Sequence, residues 1–312
     1  MSDSLNQRPH LDGHYIEAST SKIRLAIGIA TRGRPSILAE AITDLQRQSR
    51  RPQRILVAYA DRADVGDAPR RFPEAHFIQS DPGLTRQRNA ILSALTNEDV
   101  ITFLDDDFLL HRNYLDIIEQ VFVSQPNVVV ATGRLLADGI NGPGLTCSVA
   151  RRIIDSQGDL PAKGALSRTF NAYGCNMSLR IRPIQTYKLR FDENLPLYGW
   201  YEDVDFSRQL ARHGQVIRVE SAFGVHLGAK SGRQSGVRLG YSQVANPVYL
   251  ARKRTVPWRF AVASMLSRSL KNLVRSANPE PFVDRRGRLR GNIRAWRDLV
   301  SGAISPNRIL QL

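Results

Sequence analysis

Hydrophobic positions along the chain alternate between two rhythms. Short unbroken apolar runs rich in β-branched residues are followed by stretches where apolar side chains recur every three or four positions. The first kind predicts strands buried on both faces, and the second predicts helices packed by one face. Ile23–Ala30 is the first such run. A tight loop, Thr31–Pro35, follows, with Pro35 suited to the first turn of a helix; Ile37, Leu38, Ala41, Ile42 and Leu45 then recur at helical spacing. Arg54–Ala60 and His76–Gln79 predict the second and third strands, and Leu84–Leu95 a helix opening just after Asp81-Pro-Gly83. Val100–Leu104 predicts a fourth strand, Tyr114–Phe122 a helix and Val128–Ala131 another strand. This alternation predicts an α/β fold: a mostly parallel, Rossmann-like sheet with helices on both faces and right-handed crossovers.

After Gly133 the rhythm fades. Residues 134–170 read as irregular structure and weak strands, apart from an apolar patch at Val149–Ile154. Asn171–Leu179 then predicts a strand. A helix follows Tyr201 with Glu202, Asp203 and Asp205 in its first turn and Gly214 as its stop, and Gln215–Val219 is a further strand. Near the C-terminus, Trp258, Val262, Met265, Leu266, Leu270, Leu273 and Val274 share one helical face, opposite Arg268, Lys271 and Arg275. Leu289–Val300 repeats the design, with Ile293 and Trp296 against Arg290, Arg294 and Arg297.

The fourth strand ends in three consecutive acids, Asp105, Asp106 and Asp107. Three crowded carboxylates repel one another, so they form either a solvated acidic turn or the seat of a cation. Ligands of open α/β sheets bind beyond the carboxyl ends of the strands. The Thr31–Arg34 loop, the Asp61–Asp67 loop and the acidic triplet all fall at that edge. This placement favours a divalent metal carrying a phosphate ester, since hard cations take oxygen ligands. Glu202 and Asp203 have two readings: acids in a first turn favour the helix dipole by about 0.3–1 kcal/mol each, or they form a second carboxylate site.

Charge changes the picture of the C-terminus. Of the 44 Lys+Arg and 29 Asp+Glu, 14 and 3 lie in residues 251–312, leaving 30 and 26 in residues 1–250. The body is thus nearly neutral and the C-terminal fifth strongly basic. This disfavours a protein that binds nucleic acid over its whole surface, and no nucleic-acid partner is expected. Two distant cysteines, Cys147 and Cys175, form no CxxC, which argues against a disulfide framework or zinc site and fits a reducing compartment. No apolar run is long enough to span a bilayer. Residues 1–21 are polar, lack the apolar core of a signal peptide and are expected to be a loose tail.

Five motifs occur in one order: the Thr31 loop after the first strand, Gly83-Leu-Thr-Arg-Gln-Arg-Asn89, Phe103-Leu-Asp-Asp-Asp107, Gly174-Cys-Asn-Met-Ser178 and Gly199-Trp-Tyr-Glu-Asp-Val-Asp205. In this set the chain resembles the large inverting glycosyltransferase family two, of GT-A fold, over about residues 22–250. The resemblance implies a metal-dependent enzyme that moves a sugar from a nucleotide-diphosphate donor to a hydroxyl of a glycan or lipid-linked glycan, in the manner of bacterial surface-polysaccharide enzymes. It implies Mg²⁺ or Mn²⁺ on Asp105 and Asp107, with Asp107 touching the metal and Asp105 facing the donor as well. Asp106 is then the spacer, a solvated acid. Asp203 matches the catalytic base, with Glu202 beside it. Arg88 is set near the donor, or pairs with a carboxylate of the triplet. Thr31 and Arg32 belong to the donor-side loop. Asn176 and Trp200 fall in segments that line the acceptor side, where Trp200 either stacks on a sugar or is ordinary core. The family's acidic pair at the end of the second strand is missing here. Asp61 is the expected base-facing residue in its place, and the donor nucleotide is left open. His226 is either a further metal or phosphate contact or a structural histidine.

The expected division is residues 22–250 as the GT-A domain (22–133 nucleotide-binding, 134–250 acceptor-binding) and 251–312 as a basic, amphipathic helical appendage. Its helices either pack on the catalytic domain with solvated basic faces or dock to an anionic membrane with Trp258 and Trp296 as interfacial anchors. The expected location is the cytoplasm, with a peripheral place on the inner face of its membrane. Two other readings remain. A nucleotidyltransferase also uses carboxylates, metal and an α/β sheet, but leaves Glu202 and Asp203 without a task. A basic nucleic-acid- or membrane-binding protein without catalysis leaves the acidic cleft unexplained.

Overall fold

The computed structural model describes residues 23–158, 165–231 and 235–312. The expected loose tail, residues 1–21, lies outside the described residues.

Nine strands make one sheet, in the order β3-β2-β1-β4-β8-β6-β9-β5, with β7 beside β9. The first half alternates strand and helix: β1 (Leu25–Ala30), α1 (Pro35–Gln46), β2 (Arg54–Tyr59), α2 (Ala68–Arg71), β3 (Ala75–Gln79), α3 (Leu84–Ser93) and β4 (Val100–Asp105). β1, β2, β3 and β4 pair in parallel, and β1 lies at the centre of this half. β4 is buried from Val100 to Leu104, which is why its sequence shows no alternation. One face of the sheet packs α1 and α4 (Tyr114–Ser124) through Leu38, Ile42, Leu115 and Ile118. The other packs α3, α6 (Ile181–Thr186) and α7 (Glu202–Leu210) through Ile91, Ile184, Phe206 and Leu210.

The second half is not the expected continuation of a parallel sheet. β8 (Asn176–Arg180) inserts antiparallel between β4 and β6 (Val128–Asp138). β9 (Gln215–His226) runs parallel to β6, while β5 (Phe108–Leu110) and β7 (Leu166–Arg168) run antiparallel to β9. The sheet is therefore mixed. A buried apolar run looks the same in either direction, so the sequence pattern could not report the reversal.

Three other expectations need correction. The supposed irregular stretch after Gly133 holds the rest of β6 and α5 (Cys147–Asp155), the latter capped by Thr146, whose Oγ1 accepts from the Val149 N–H at 3.3 Å. The strand expected at Gln215–Val219 runs on to His226. α7 ends at Leu210, before Gly214.

Residues from Ser235 onward form a three-helix unit: α8 (Gly236–Arg252), α9 (Trp258–Ala277) and α10 (Arg285–Val300). The expected boundary between 250 and 251 falls inside α8. The unit has its own core of Tyr241, Val244, Ala245, Val248, Met265 and Ala295. α8 and α10 cross so closely that a β-carbon on Gly291 would lie 2.1 Å from the Val237 carbonyl oxygen. A polar network of Asn272, Gln243, Asn292 and Arg285 is sealed between the helices. α9 turns Ala261, Met265 and Asn272 inward. Of its predicted apolar stripe only Met265 turns inward; the rest points outward, with Leu270 at 61% and Val274 at 64% exposure. Trp296, an interfacial anchor in the membrane reading, is half-buried and donates its indole N–H to the Ser269 hydroxyl at 2.9 Å.

Candidate active site

The acidic triplet sits at the carboxyl end of β4, in the middle of the sheet, and its three members have three different environments. Asp105 is partly open. Asp107 is almost enclosed: one oxygen faces His226 Nε2 at 3.3 Å, and the other accepts the Ala229 N–H at 2.8 Å and an Arg34 guanidinium N–H at 3.2 Å. Burial opposes ionisation of Asp107, but the His226 hydrogen bond and the charges of His226 and Arg34 outweigh it and hold its pKa down at about 2.

Asp106 is not the solvated spacer expected from the sequence. It is fully buried, accepts the Thr31 hydroxyl at 2.7 Å and meets the Arg34 guanidinium at 2.9 Å. Burial pushes its carboxyl up to about 7 against the pull of Arg34. One guanidinium serving two adjacent carboxylates cannot fully neutralise both, so the two titrate far apart. Thr31 is itself buried and acts on Asp106. Arg32 is exposed on the loop. Gly33 between them takes φ of 64°, a left-handed turn that lets Arg34 fold back over the acids. The sequence placed this loop at the right edge but could not tell which arginine faced inward.

His226 enters from the far end of the chain. In the sheet β9 lies between β6 and β5, so His226 pairs in register with Asp138 on one side and Phe108 on the other. Its Nδ1 lies 2.9 Å from Asp138 Oδ1, which fixes the ring, and its Nε2 faces Asp107 and, at 3.8 Å, Asp105. Burial works against the imidazolium, but hydrogen bonds to Asp107 and Asp138 overcome it and raise the pKa to about 10. Asp138, which also accepts the Tyr173 hydroxyl at 3.1 Å, was not foreseen.

One carboxylate oxygen from each of Asp105 and Asp107 and one ring nitrogen of His226 lie within 4.8 Å of one another. The set fits a divalent cation on chemical grounds. It offers two hard oxygens and an imidazole whose other nitrogen is held by a carboxylate, the usual support for a ligating histidine.

The second carboxylate site is joined to the first by Arg88 of α3. Its guanidinium is fully buried, stacked 5.4 Å from the Phe103 ring centre and 5.5 Å from that of Phe191. It reaches Glu202 at 2.7 Å, the Gly174 carbonyl at 2.8 Å and Asp105 at 3.4 Å. Of the two sequence readings of Arg88, the ion pair with an acid of the triplet is present, and the side chain also pairs with Glu202 at the start of α7. Burial works to raise the Glu202 pKa and Asp203 adds to it, while the charge and hydrogen bond of Arg88 pull the other way. Asp203 accepts the Gly174 N–H at 3.0 Å and the Val204 N–H at 2.7 Å, and burial raises its pKa despite these bonds. Leading into α7, Leu197, Gly199 and Tyr201 all take positive φ, and Tyr201 caps the helix in the left-handed region at 73°. This cramped turn sets the direction in which Glu202 and Asp203 face.

Other predicted residues fall nearby in different roles. Asn176 is fully enclosed; its amide joins Thr132 Oγ1 and the Gly133 carbonyl, shaping the wall from behind. Trp200 is half-buried, tilted against Tyr201 and covered by the Arg268 guanidinium of α9 at 5.6 Å. Asp61 is exposed and accepts the Ala63 N–H at 2.8 Å, starting a turn of 3₁₀ helix after β2. Asp64 is the buried acid of that loop and accepts the Gly33 N–H at 2.7 Å.

No protein-family model matches the sequence, and no curated protein sequence is recognisably similar to it. Solved structures are similar. A mannosyltransferase from Pyrobaculum calidifontis, in complex with GDP-Man and Mn²⁺, superposes with a TM-score of 0.55 at 14% identity, over 94% of this chain and 79% of that one. GalNAc-T7, with UDP, GalNAc and Mn²⁺, gives 0.57 at 12% identity, over 93% and 57%. Residues 1–349 of S. aureus TarS give 0.50 at 12% identity, over 73% of this chain and 66% of that one. The chain therefore spans just under two thirds of the TarS fragment and little more than half of GalNAc-T7. At these identities the likeness is one of fold, the GT-A fold of glycosyltransferases.

Proposed function

We propose that the protein is an inverting, metal-dependent glycosyltransferase that uses a nucleotide-sugar donor and a hydroxyl acceptor on a glycan or lipid-linked glycan. The observation that carries the reading is the pairing of two carboxylate sites at one sheet edge, Asp105–Asp107–His226 and Glu202–Asp203, through the single buried guanidinium of Arg88. Inverting transfer needs this division of labour. Negative charge builds on the departing diphosphate at one end, and a proton leaves the attacking hydroxyl at the other.

Asp105, Asp107 and His226 would hold Mg²⁺ or Mn²⁺, which when bound supplies neutralisation of the diphosphate. Arg34 lies against the same acids and adds a second positive group on the donor side. Asp203 is the base: its raised pKa makes it a better proton acceptor than a free carboxylate, and its bonds to the Gly174 and Val204 N–H groups fix its direction. Glu202, held by Arg88, is a positioning residue. The resemblance to family two and to bacterial surface-polysaccharide enzymes supports this reading, as do the GDP-Man and Mn²⁺ of one fold neighbour and the UDP, GalNAc and Mn²⁺ of another. A cytoplasmic site of action goes with it.

The test is a panel of nucleotide-sugars with and without Mn²⁺, read first by thermal stabilisation and then by transfer. One donor should raise the melting temperature only with metal, because ligand that binds the folded state stabilises it by mass action. No metal-dependent stabilisation by any of the panel would overturn the donor assignment.

A further inference from the structure

The apolar stripe of α9 does not close the helical unit; it lies on its outside. Val262 (42%), Leu266 (54%), Leu270 (61%) and Leu273 (56%) are all exposed. The stripe continues onto α10. Ser269 and Trp296, hydrogen-bonded across the two helices, mark the seam. Leu266 and Leu273 stand three before and four after Ser269, and Ile293 and Val300 stand three before and four after Trp296. All four are therefore immediate neighbours of the seam on their own helices. Ile293 is 42% and Val300 89% exposed, and a shallow groove of about 480 Å³ runs beside them between Trp296 and Arg297. A continuous apolar band across two helices is more than the scattered exposure normal for a surface.

The charges around the band have one sign. Arg290, Arg294 and Arg297 follow one another at helical spacing on α10 and are exposed, and Arg290 and Arg297 stand three before and four after Ile293, so they border the band directly. Residues 258–312 contain three acids, and each is committed within the unit. Glu280 pairs with Arg285 at 2.8 Å, Asp284 caps α10 by accepting the Gly287 N–H at 2.7 Å, and Asp298 accepts the Tyr241 hydroxyl at 2.6 Å and meets Arg308 at 3.1 Å. Within residues 258–312, then, the band has a basic border and no acid is left unpaired. In a face-to-face pairing of two copies this basic border would meet itself. Among the described residues no helix is long and apolar enough to cross a membrane.

We propose that the outer face of α9 and α10 lies flat on an anionic lipid bilayer. Leu266, Leu270, Leu273 and Ile293 enter the acyl boundary, and Arg290, Arg294 and Arg297 of α10 meet the headgroups. α9, at 20 residues, offers a lipid-facing edge about 30 Å long. Trp258, 52% exposed at its start, sits where an indole suits the headgroup level. The proposal stands on this surface alone and holds whether or not the cleft transfers sugars.

The full chain should be sedimented with vesicles of pure phosphatidylcholine and of phosphatidylcholine with 30% phosphatidylglycerol, a proportion on the order used for anionic membrane surfaces. Binding is expected to the anionic vesicles and to weaken as salt rises. Leu270→Glu should weaken it roughly tenfold or more, the worth of burying one leucine. Arg290→Gln with Arg294→Gln should weaken it about 25-fold, from about 1 kcal/mol for each basic residue. These positions are exposed, so melting temperature and metal-dependent donor stabilisation should stay as in the wild type, which separates loss of docking from loss of the cleft. Equal binding to both vesicle types, no binding, or insensitivity to both variants would overturn the proposal. So would a concentration-dependent dimer that Leu270→Glu dissociates, since the face would then belong to a second copy.

Discussion

Arg88 and Glu202, 114 residues apart in sequence, meet in a 2.7 Å ion pair at the floor of the cleft. Around this one guanidinium stand three carboxylates, Glu202, Asp105 and Asp203, each acting on its charge. A buried charge is tolerated when it is paired and hydrogen-bonded, and Arg88 achieves this only because α3, β4 and the start of α7 converge. The pair sets the distance between the proposed metal side and the proposed base side of the site.

Replacing Arg88 by Met should therefore act on folding as well as chemistry. It leaves Glu202 buried without its partner, a loss of about 3–5 kcal/mol by the usual cost of breaking a buried ion pair. Urea unfolding of Arg88→Met, alone and with Glu202→Gln, measures this. The second change should recover part of the loss. If the single mutant unfolds at the wild-type midpoint, the pair does not hold the cleft together.

Asp107→Asn removes the most enclosed of the proposed metal ligands, and with it the charge that faces His226 and Arg34. Metal-dependent stabilisation by the donor should disappear and transfer should become undetectable. Titration calorimetry of donor with and without EDTA is the check. A mutant whose donor affinity is still sensitive to EDTA would exclude Asp107 as a ligand.

Asp203→Asn should separate binding from turnover. The amide keeps a carbonyl oxygen for the Gly174 N–H but cannot accept a proton. Turnover should fall by about 10²–10⁴, the usual contribution of a positioned base, while donor affinity changes little. Turnover near the wild-type value would assign the proton to another group.

A pH dependence is expected where the helical unit joins the body. Lys253, just past the end of α8, meets Asp192 and Asp205, each at 2.7 Å. Burial would raise the Asp192 pKa, but the hydrogen bond and charge of Lys253 outweigh it and hold it below its ordinary 3.8. With the folded value below the unfolded one, Asp192 adds stability that is complete above pH 3.8 and is lost as pH falls through the folded value. Urea midpoints measured down through that range should fall less steeply for Asp192→Asn than for wild type. Parallel slopes would remove Asp192 from the acid response.

Much of the site was legible in the sequence because strand ends and helix starts are local events. The run into Asp105–Asp107 announced its own terminus, and Glu202 and Asp203 announced a first turn. Arg34 and Asp138 gave no such signal. Arg34 differs from Arg32 only by which way the turn at Gly33 sends it, and Asp138 lies where the sequence rhythm had faded. Asp106 shows the same limit from the other side. Three equal acids in a row received unequal burial, decided by Thr31 and Arg34 from a loop some 75 positions earlier.

The sequence by itself determined the elements of the first half apart from the short α2, the strand end that carries the acids and the basic character of the last fifth. These follow from periodicity and composition, which act between neighbours along the chain. Only the tertiary structure decided that β8 reverses direction, that β9 carries His226 to Asp107, and that the apolar stripe of α9 faces out. Each depends on which element lies beside which. An amphipathic helix has a stripe wherever it sits, but what covers the stripe is set by packing between distant segments. In α9 that packing turned Met265 and Asn272 to the core and left Leu270 on the outside.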